Sequence, residues 1–198
     1  TPQALGMGQA TRAIGRSNSA LVYNPAGMSA ISTYSVDAQY FRSSGEENIL
    51  GLNIVDSQTR YAKDQLALGL AYNHVLKGGE LTAWEGRGGL SLPVIRRRGF
   101  QILLGFTGRY TSNESTDQDG FDLDVGALMI INETFNIGLV GEGVLDEHDL
   151  TRLGGGVGFN HRLFTLDVDY LYNPSTEISY LNSGLELLLG DQFMLGGG

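Results

Sequence analysis

The chain has no cysteine among its 198 residues, so it can form neither a disulfide framework nor a thiolate metal site. Basic residues are scarce as well: 13 Lys and Arg stand against 22 Asp and Glu, for a net charge of −9. An acidic chain lacks the basic surface that replaces phosphate counterions, which argues against nucleic acid as a partner. Long apolar runs are also missing, since no stretch approaches the ~18 residues of a membrane-spanning helix.

What the chain does have is a residue-by-residue alternation of apolar and polar side chains. In the stretch 164–172 (FTLDVDYLY), Phe164, Leu166 and Val168 fall on one face of a strand and Thr165 and Asp167 on the other. The 29 glycines, about twice the usual share of ~7%, often occupy the polar position. Glycine weakens a strand interior unless the backbone bends or a neighbour packs closely. The glycines in the strands are therefore explained either by room for a plug or ligand or by the curvature of a barrel.

Similar runs recur along the chain and predict ten strands and an incomplete eleventh. They cover residues 34–41, 49–55, 66–75, 81–95, 100–110, 121–131, 135–144, 152–160, 163–172, 178–189 and 193–195. One face of these strands is apolar, as in the runs Leu66/Leu68/Leu70 and Ile102/Leu104/Phe106. The other face combines small residues with polar ones, among them Asp37, Asn73, Asp122, Asp124, Glu142, Asp167, Asp169 and Glu186.

The connections between strands separate a membrane barrel from a soluble sandwich. Alternate connections (residues 42–48, 76–80, 111–120, 145–150 and 173–177) are polar and mostly long, whereas 132–134, 161–162 and 190–192 are tight turns; residues 57–65 are an exception. Long loops at one end, short turns at the other and aromatic residues at strand ends are typical of outer-membrane barrels. The sequence therefore predicts an all-β, antiparallel transmembrane β-barrel, with a soluble β-sandwich as the alternative.

The N-terminal residues 1–33 are not strand-like and carry a family resemblance. Residues 6–10 read GMGQA, residues 18–20 read NSA and residues 24–28 read NPAGM. This resembles the long-chain fatty-acid transporter superfamily of outer-membrane barrels, including type IX secretion shuttles, whose pattern is GMGGA followed by (D/N)xSAxxxNPAG(M/L); Gln9 departs from it. Residues 183–197 resemble the late-barrel pattern GxEYxxxxxxxLRAGY, and the middle of the chain is matched only in its strand pattern.

The resemblance implies a hatch inside the barrel, formed by residues 1–33, with the barrel itself in residues 34–198. The hatch motif would be Asn24, Pro25, Ala26 and Gly27. Arg12 and Arg16 would be costly in a dry interior, so they should pair with wall carboxylates. The candidates for those ion pairs are Asp37, Asp122, Asp124, Asp167 and Asp169. A loose periplasmic tail is the alternative for residues 1–33.

The strand count raises a separate expectation about the length of the barrel. Single-chain bacterial barrels have an even number of strands, and the resembling family has about fourteen. Ten strands and a stub therefore predict either a sequence that is incomplete at its C-terminus or a small ten-stranded barrel.

Chemistry-bearing patterns are sparse, and no enzymatic activity and no cofactor are predicted. No Ser-His-Asp order, phosphate-binding loop or HExxH helix can be placed. The run at residues 117–124 places carboxylates at alternate positions around Gly120, with Asp117 and Asp119 as weak calcium candidates, but it lacks the order of an EF-hand. It is interpreted as an acidic turn that leads into a strand.

Three functions follow from these observations. The resemblance implies a multi-pass barrel in the Gram-negative outer membrane, in contact with membrane lipid, through which hydrophobic small molecules pass without energy input. The alternative is a non-transporting barrel that docks another envelope protein or a secreted protein. The third is a soluble β-sandwich that acts as a binding domain.

Overall fold

The computed structural model describes residues 7–42, 47–58, 66–77, 80–113, 118–145, 151–189 and 193–197. The described N-terminal part holds a short helix, α1 (Ser17–Tyr23), and a 3-10 helix (Pro25–Ser29). The strands are β1 (Tyr34–Arg42), β2 (Glu47–Asp56), β3 (Ala67–Lys77), β4 (Glu80–Arg97), β5 (Phe100–Asn113), β6 (Gln118–Ile131), β7 (Phe135–Glu142), β8 (Arg152–Asn160), β9 (Phe164–Asn173), β10 (Ile178–Leu189) and β11 (Phe193–Gly197).

All eleven strands belong to one antiparallel sheet in which each strand pairs with the next in sequence order. The alternation of the sequence predicts each of these strands, so the all-β, antiparallel fold class is confirmed. A sandwich would need two sheets packed face to face, whereas the described strands form one. Among the described residues, the pairing runs from β1 to β11 without a pairing between these two strands.

Each strand pairs antiparallel with the next, so every second connection lies at the same end of the sheet. The tight turns after β4, β6 and β8 therefore share one end. Between β6 and β7 the backbone turns at Asn132 and Glu133, which have φ angles of 50° and 60°. Asn tolerates this left-handed conformation better than most residues. Between β4 and β5, Gly99 adopts a φ of 76°, which glycine reaches without strain because it has no Cβ.

At the opposite end, the strands extend into the connections that the sequence predicts to be long. Four residues separate β1 from β2, two separate β3 from β4, and four separate β5 from β6. The predicted contrast in loop length between the two ends is therefore wrong for these three connections, because the strand pairing continues past the last apolar residue of each run.

The two faces of the sheet have opposite character. On the outer face, large apolar side chains are exposed: Leu70 keeps 67% of its accessible surface and Leu181 keeps 74%. On the inner face, polar side chains are buried, and both Asp167 and Asp169 are 0% exposed. The inner and outer sets follow the period-two assignment made from the sequence.

The sheet curves round the N-terminal segment, defined here as residues 7–30. At one side of the sheet, the amide Nδ2 of Asn18 donates a hydrogen bond of 2.8 Å to Ser35 Oγ in β1. At the other side, Met7 packs against Gly184 in β10. A segment this short can reach from β1 to β10 only if the sheet bends into a barrel-like shape. In the described part of the chain, no helix is long and apolar enough to cross a membrane.

Candidate functional site

The predicted hatch motif begins at Asn24, between the two helices of the N-terminal segment, and continues into the 3-10 helix. Asn24 Oδ1 accepts a hydrogen bond from the backbone N–H of Ala26 at 3.2 Å, which caps the 3-10 helix. Its Nδ2 donates to the carbonyl of Arg12 at 2.8 Å and to that of Ala127 in β6 at 3.2 Å. Pro25 occupies the first helical position, where its missing N–H costs nothing. Asn24 thus ties the segment to itself and to the sheet.

Gly27, the last residue of the motif, sits where two parts of the segment cross. A Cβ at this position would overlap the backbone carbonyl of Gly15 and would lie 2.9 Å from the Cβ of Ala20. Residues 25–29 are all buried. The NPAG sequence is therefore explained by close packing within the segment.

Glycines in the strands make room for the segment on the inner face. At seven of them, an added Cβ would overlap backbone or side-chain atoms of the segment. These pairs are Gly69 and Gly89 with Leu21 and Met28, Gly105 with Pro25 and Ala26, Gly126 with Asn24, Gly138 with Arg12, Gly158 with Ile14, and Gly184 with Met7. Of the two explanations that the sequence leaves open for strand glycines, close packing accounts for these seven positions.

Arg12 makes the central ion pairs between the segment and the sheet. Its Nε and Nη2 donate to Glu142 Oε1 at 3.1 and 2.7 Å, and its Nη1 lies 3.3 Å from Asp169 Oδ2. The guanidinium carbon also lies 5.6 Å from the centre of the Tyr23 ring. Arg12 is only 5% exposed, so these partners replace most of the water that its charge has lost.

Asp169 of β9 binds the backbone of the same loop, and Asp167 lies beside it. The N–H groups of Thr11 and Arg12 donate to Asp169 Oδ2 at 2.8 and 3.0 Å. The N–H groups of Ala13 and Ile14 point towards the carboxylate of Asp167, although neither makes a well-formed hydrogen bond to it. Successive N–H groups directed at carboxylates form an anion-binding turn, which fixes the height of the segment in the sheet.

Arg16 reaches neutral acceptors in place of a carboxylate. Its guanidinium donates to Asn136 Oδ1 at 3.0 Å and to the carbonyls of Ala13 and Gly15 at 3.2 and 3.0 Å. Burial lowers the pKa of Arg16 to about 10, and the nearby negative charge of Asp167 partly opposes that shift. The side chain therefore remains charged at neutral pH.

Only some of the carboxylates that the sequence predicts as partners of Arg12 and Arg16 contact these arginines. Asp169 does meet Arg12, but Asp122 pairs with Arg109 at 2.6 Å and Asp124 lies 3.5 Å from Arg87. Asp37 is half-buried in β1 and, among the described residues, forms no ion pair with either arginine of the segment. Asp122 and Asp124 are buried on the inner face as predicted, but arginines of β4 and β5 pair with them in place of the arginines of the segment.

Glu142 is the partner that sequence reasoning missed. It lies at the end of β7 and bridges two arginines, since Oε1 accepts from Arg12 and Oε2 lies 2.8 Å from Arg152. Its inward position follows from the alternation, which could have placed it among the candidates. Its contact with Arg12 could not be derived, because the pattern says nothing about which residues of distant strands share a height.

A small polar cavity lies beside these ion pairs. It has a volume of about 110 Å³, enough for a few water molecules. Its charged lining consists of Arg12, Arg87, Arg109, Asp124, Glu142 and Arg152. Each of these arginines faces a carboxylate, so paired charges line the cavity between the segment and the sheet.

The weak calcium candidates do not form a site within the described ranges. Asp119 is exposed near the start of β6, and Asp117 lies outside the described residues. In the part of the chain that the structure describes, no group of three or more His, Cys, Asp or Glu side chains is arranged to hold a metal ion.

Comparisons with known proteins found no protein family, no curated protein and no solved structure that matches this chain. The resemblance to the fatty-acid transporter superfamily therefore rests on the motif residues alone. What the structure itself defines is an all-β protein with one barrel-like antiparallel sheet curved round a buried N-terminal segment.

Proposed function

We propose that the protein is a β-barrel of the Gram-negative outer membrane that allows passive passage of hydrophobic small molecules. The observation that carries this proposal is the inverted polarity of the sheet. Large apolar side chains are exposed on the outer face, and carboxylates and amides are buried on the inner face. Water would penalise such an outer face, whereas lipid solvates it.

Aromatic rings at opposite ends of the sheet support a membrane position. One group, at the end with the long loops, joins Tyr72, Trp84 and Tyr110 with ring centres 6.1 and 5.3 Å apart. A second group, at the end with the tight turns, joins Phe159 to Phe135 and Phe164 at 5.0 and 5.7 Å. Aromatic belts at two levels are typical of proteins that meet two membrane–water interfaces.

An apolar depression on the outer face supports a hydrophobic ligand. Its volume is about 700 Å³, within the range of small-molecule sites. Side chains from β2 to β6 form its walls, and glycine backbone forms part of its floor. The lining includes Leu52, Leu70, Tyr72, Gly86, Gly88, Gly108, Tyr110 and Phe121. A ligand held there would lie between membrane lipid and the sheet.

The N-terminal segment acts as a plug in this proposal. It fills the inner face, and Arg12 and the β9 aspartates hold it there. Passage through the interior therefore requires that the segment shifts and that its buried ion pairs separate. The polar contacts make the closed arrangement specific, whereas the apolar outer face makes the sheet stable in lipid without the segment.

Deletion of residues 1–30 tests the proposal. The truncated protein should still fold in detergent and show heat-modifiable mobility, because the apolar outer face belongs to the strands. Reconstituted in vesicles, it should raise the uptake of a hydrophobic dye above that of the full chain. A full chain that stays dispersed in buffer without detergent would contradict the membrane position.

A thiol probe distinguishes a docked plug from a free segment, because the chain has no cysteine of its own. In the Arg16→Cys variant, a bulky maleimide should react slowly with the folded protein and fast with the unfolded one. The matched control is Arg42→Cys in β1, an exposed position that should react fast in both states. Fast reaction of folded Arg16→Cys would contradict the plug.

One observation favours the second candidate, a barrel that docks another envelope or secreted protein without transport. The cavity between segment and sheet is small and lined with paired charges, so the described arrangement is closed. If deletion of residues 1–30 leaves dye uptake unchanged and a protein co-purifies from the membrane in place of lipid or ligand, the docking function is preferred.

A further inference from the structure

Exposed arginines gather at one end of a chain whose net charge is −9. Arg97 and Arg98 lie at the turn between β4 and β5, and Arg162 lies at the turn between β8 and β9. Antiparallel pairing places both turns at the end of the sheet that carries the tight turns. All three side chains are exposed. These three residues are named the basic rim.

The neighbouring Arg96 differs from the rim residues because it contacts the N-terminal segment. Its Nη2 donates to the carbonyl of Ser29 at 3.0 Å, so this arginine turns inward to the end of the 3-10 helix. Arg97, the next residue along the strand, falls on the opposite face. The alternation thus gives one arginine to the N-terminal segment and presents the next at the outer edge.

Exposed apolar side chains lie close to the basic rim along the chain. Leu163, next to Arg162, is 60% exposed, and Val94, three residues before Arg97, is 54% exposed. Phe164 also belongs to the aromatic group at this end, 5.7 Å from Phe159. Arginines with apolar stems can lie along such a surface while their guanidinium groups reach the interface.

The chemistry of the rim favours phosphate. A guanidinium group forms paired hydrogen bonds with phosphate oxygens and binds them more strongly than neutral acceptors do. Glu133, on the turn between β6 and β7, is an exposed acidic residue at the same end. Asp56, half-buried at the end of β2, is a second carboxylate at this end. Among the described residues of these strand ends and turns, the three exposed arginines outnumber the two carboxylates, and they border the apolar surface that lipid chains would cover.

We propose that the basic rim binds the phosphate groups of anionic phospholipids and sets the depth of this end of the barrel in the membrane. The inference rests on the proposed membrane location. It names a partner that the passage function does not require, namely a lipid chosen by its head group. The arguments for that partner are charge complementarity and continuity with the exposed apolar face.

The selectivity for anionic lipid tests this inference. Wild-type protein is reconstituted in phosphatidylcholine bilayers that contain a trace of spin-labelled phosphatidylglycerol or spin-labelled phosphatidylcholine. Electron paramagnetic resonance then gives the association of each lipid with the protein. In low salt, the preference for phosphatidylglycerol should fall by about fivefold or more in the variant Arg97→Gln/Arg98→Gln/Arg162→Gln. Salt should lower the wild-type preference in the same way.

The control is Arg42→Gln, which removes an exposed arginine of β1 at the end of the sheet opposite the basic rim. It should leave the preference unchanged. An equal preference in the triple variant and the wild type, or an equal loss of preference in Arg42→Gln, would overturn the proposal that the basic rim binds anionic lipid. Wild-type protein that enters the bilayer without any preference would overturn it too and leave the membrane proposal intact, whereas failure to enter the bilayer would overturn the membrane proposal itself.

Discussion

The two faces of the sheet come from the same strands yet have opposite compositions and opposite surroundings. In β9, Leu166, Val168 and Tyr170 point outward and are exposed, while Asp167 and Asp169 between them point inward and are buried. In a water-soluble protein the assignment would be reversed. The apolar side of this sheet is therefore exposed in the described structure and does not form an internal core.

The inner face also differs from an ordinary core in how it is filled. A usual core is packed by large apolar side chains from both sides. Here, glycines leave space on the sheet and the N-terminal segment fills it. Among the described residues, buried apolar side chains form small clusters, such as Leu21 and Met28 with Val55, and charged contacts at Arg12 fix the position of the segment. The inner face is thus a binding surface for a part of the same chain.

The largest effect is expected when the inner face loses its central cation. Arg12→Met should destabilise the docking of the N-terminal segment by about 3–5 kcal/mol, because Asp169 and Glu142 lose their shared partner in a buried place. Amide hydrogen exchange at residues 11–14 should become faster. Arg42→Met, at an exposed position, serves as the control. Unchanged protection in Arg12→Met would mean that the ion pairs do not hold the segment.

A charge on the outer face should have the next largest effect. Leu68→Arg or Leu104→Arg should cost about 2–4 kcal/mol of folding free energy in a bilayer if the position lies near the midplane. Asn73→Arg, on the inner face of β3, should cost less. Folding titrations into vesicles measure the difference. If all three variants fold equally well, the outer face does not meet lipid.

An added side chain on the inner face should have a smaller but specific effect. In Gly105→Val, the new Cβ would overlap the backbone of Pro25 and Ala26, and such overpacking typically costs about 1–3 kcal/mol. Gly120→Val is the matched control, since a Cβ there meets nothing within 4 Å. Hydrogen exchange at residues 24–28 should rise in Gly105→Val alone. Equal exchange in both variants would mean that the absence of a side chain at Gly105 is not required for docking of the segment.

The smallest effect on stability is expected for insertions in the connections between strands. Doubling the length of a flexible loop costs only about 0.6 kcal/mol, so an epitope tag within residues 43–46, between β1 and β2, or 114–117, between β5 and β6, should be tolerated. Antibody should label either tag on intact cells. A tag at residues 132–134 should stay unlabelled until the outer membrane is opened. Labelling of that tag on intact cells would invert the proposed orientation.

Much of the fold could be predicted because strand geometry has a period of two. The alternation gave the strands from Tyr34 onward and assigned Asp167 and Asp169 to the inner face. The candidate site was only partly predictable. Arg12 and Asp169 were named in advance, but Glu142 was not proposed as the partner, and Arg16 uses Asn136 in place of a carboxylate. Both differences concern relative height between elements far apart in the chain.

The sequence by itself therefore determined the strands, their order in hairpins and the two-faced character of the sheet, because these depend on neighbouring residues and on the alternation of side chains. Only the tertiary structure decided that Gly105, Gly126 and Gly138 face the N-terminal segment and that Arg12 meets Glu142 and Asp169. Those contacts depend on the curvature of the sheet and on the height at which the segment rests. Neither quantity is encoded in any single strand, since each arises from the packing of all strands together.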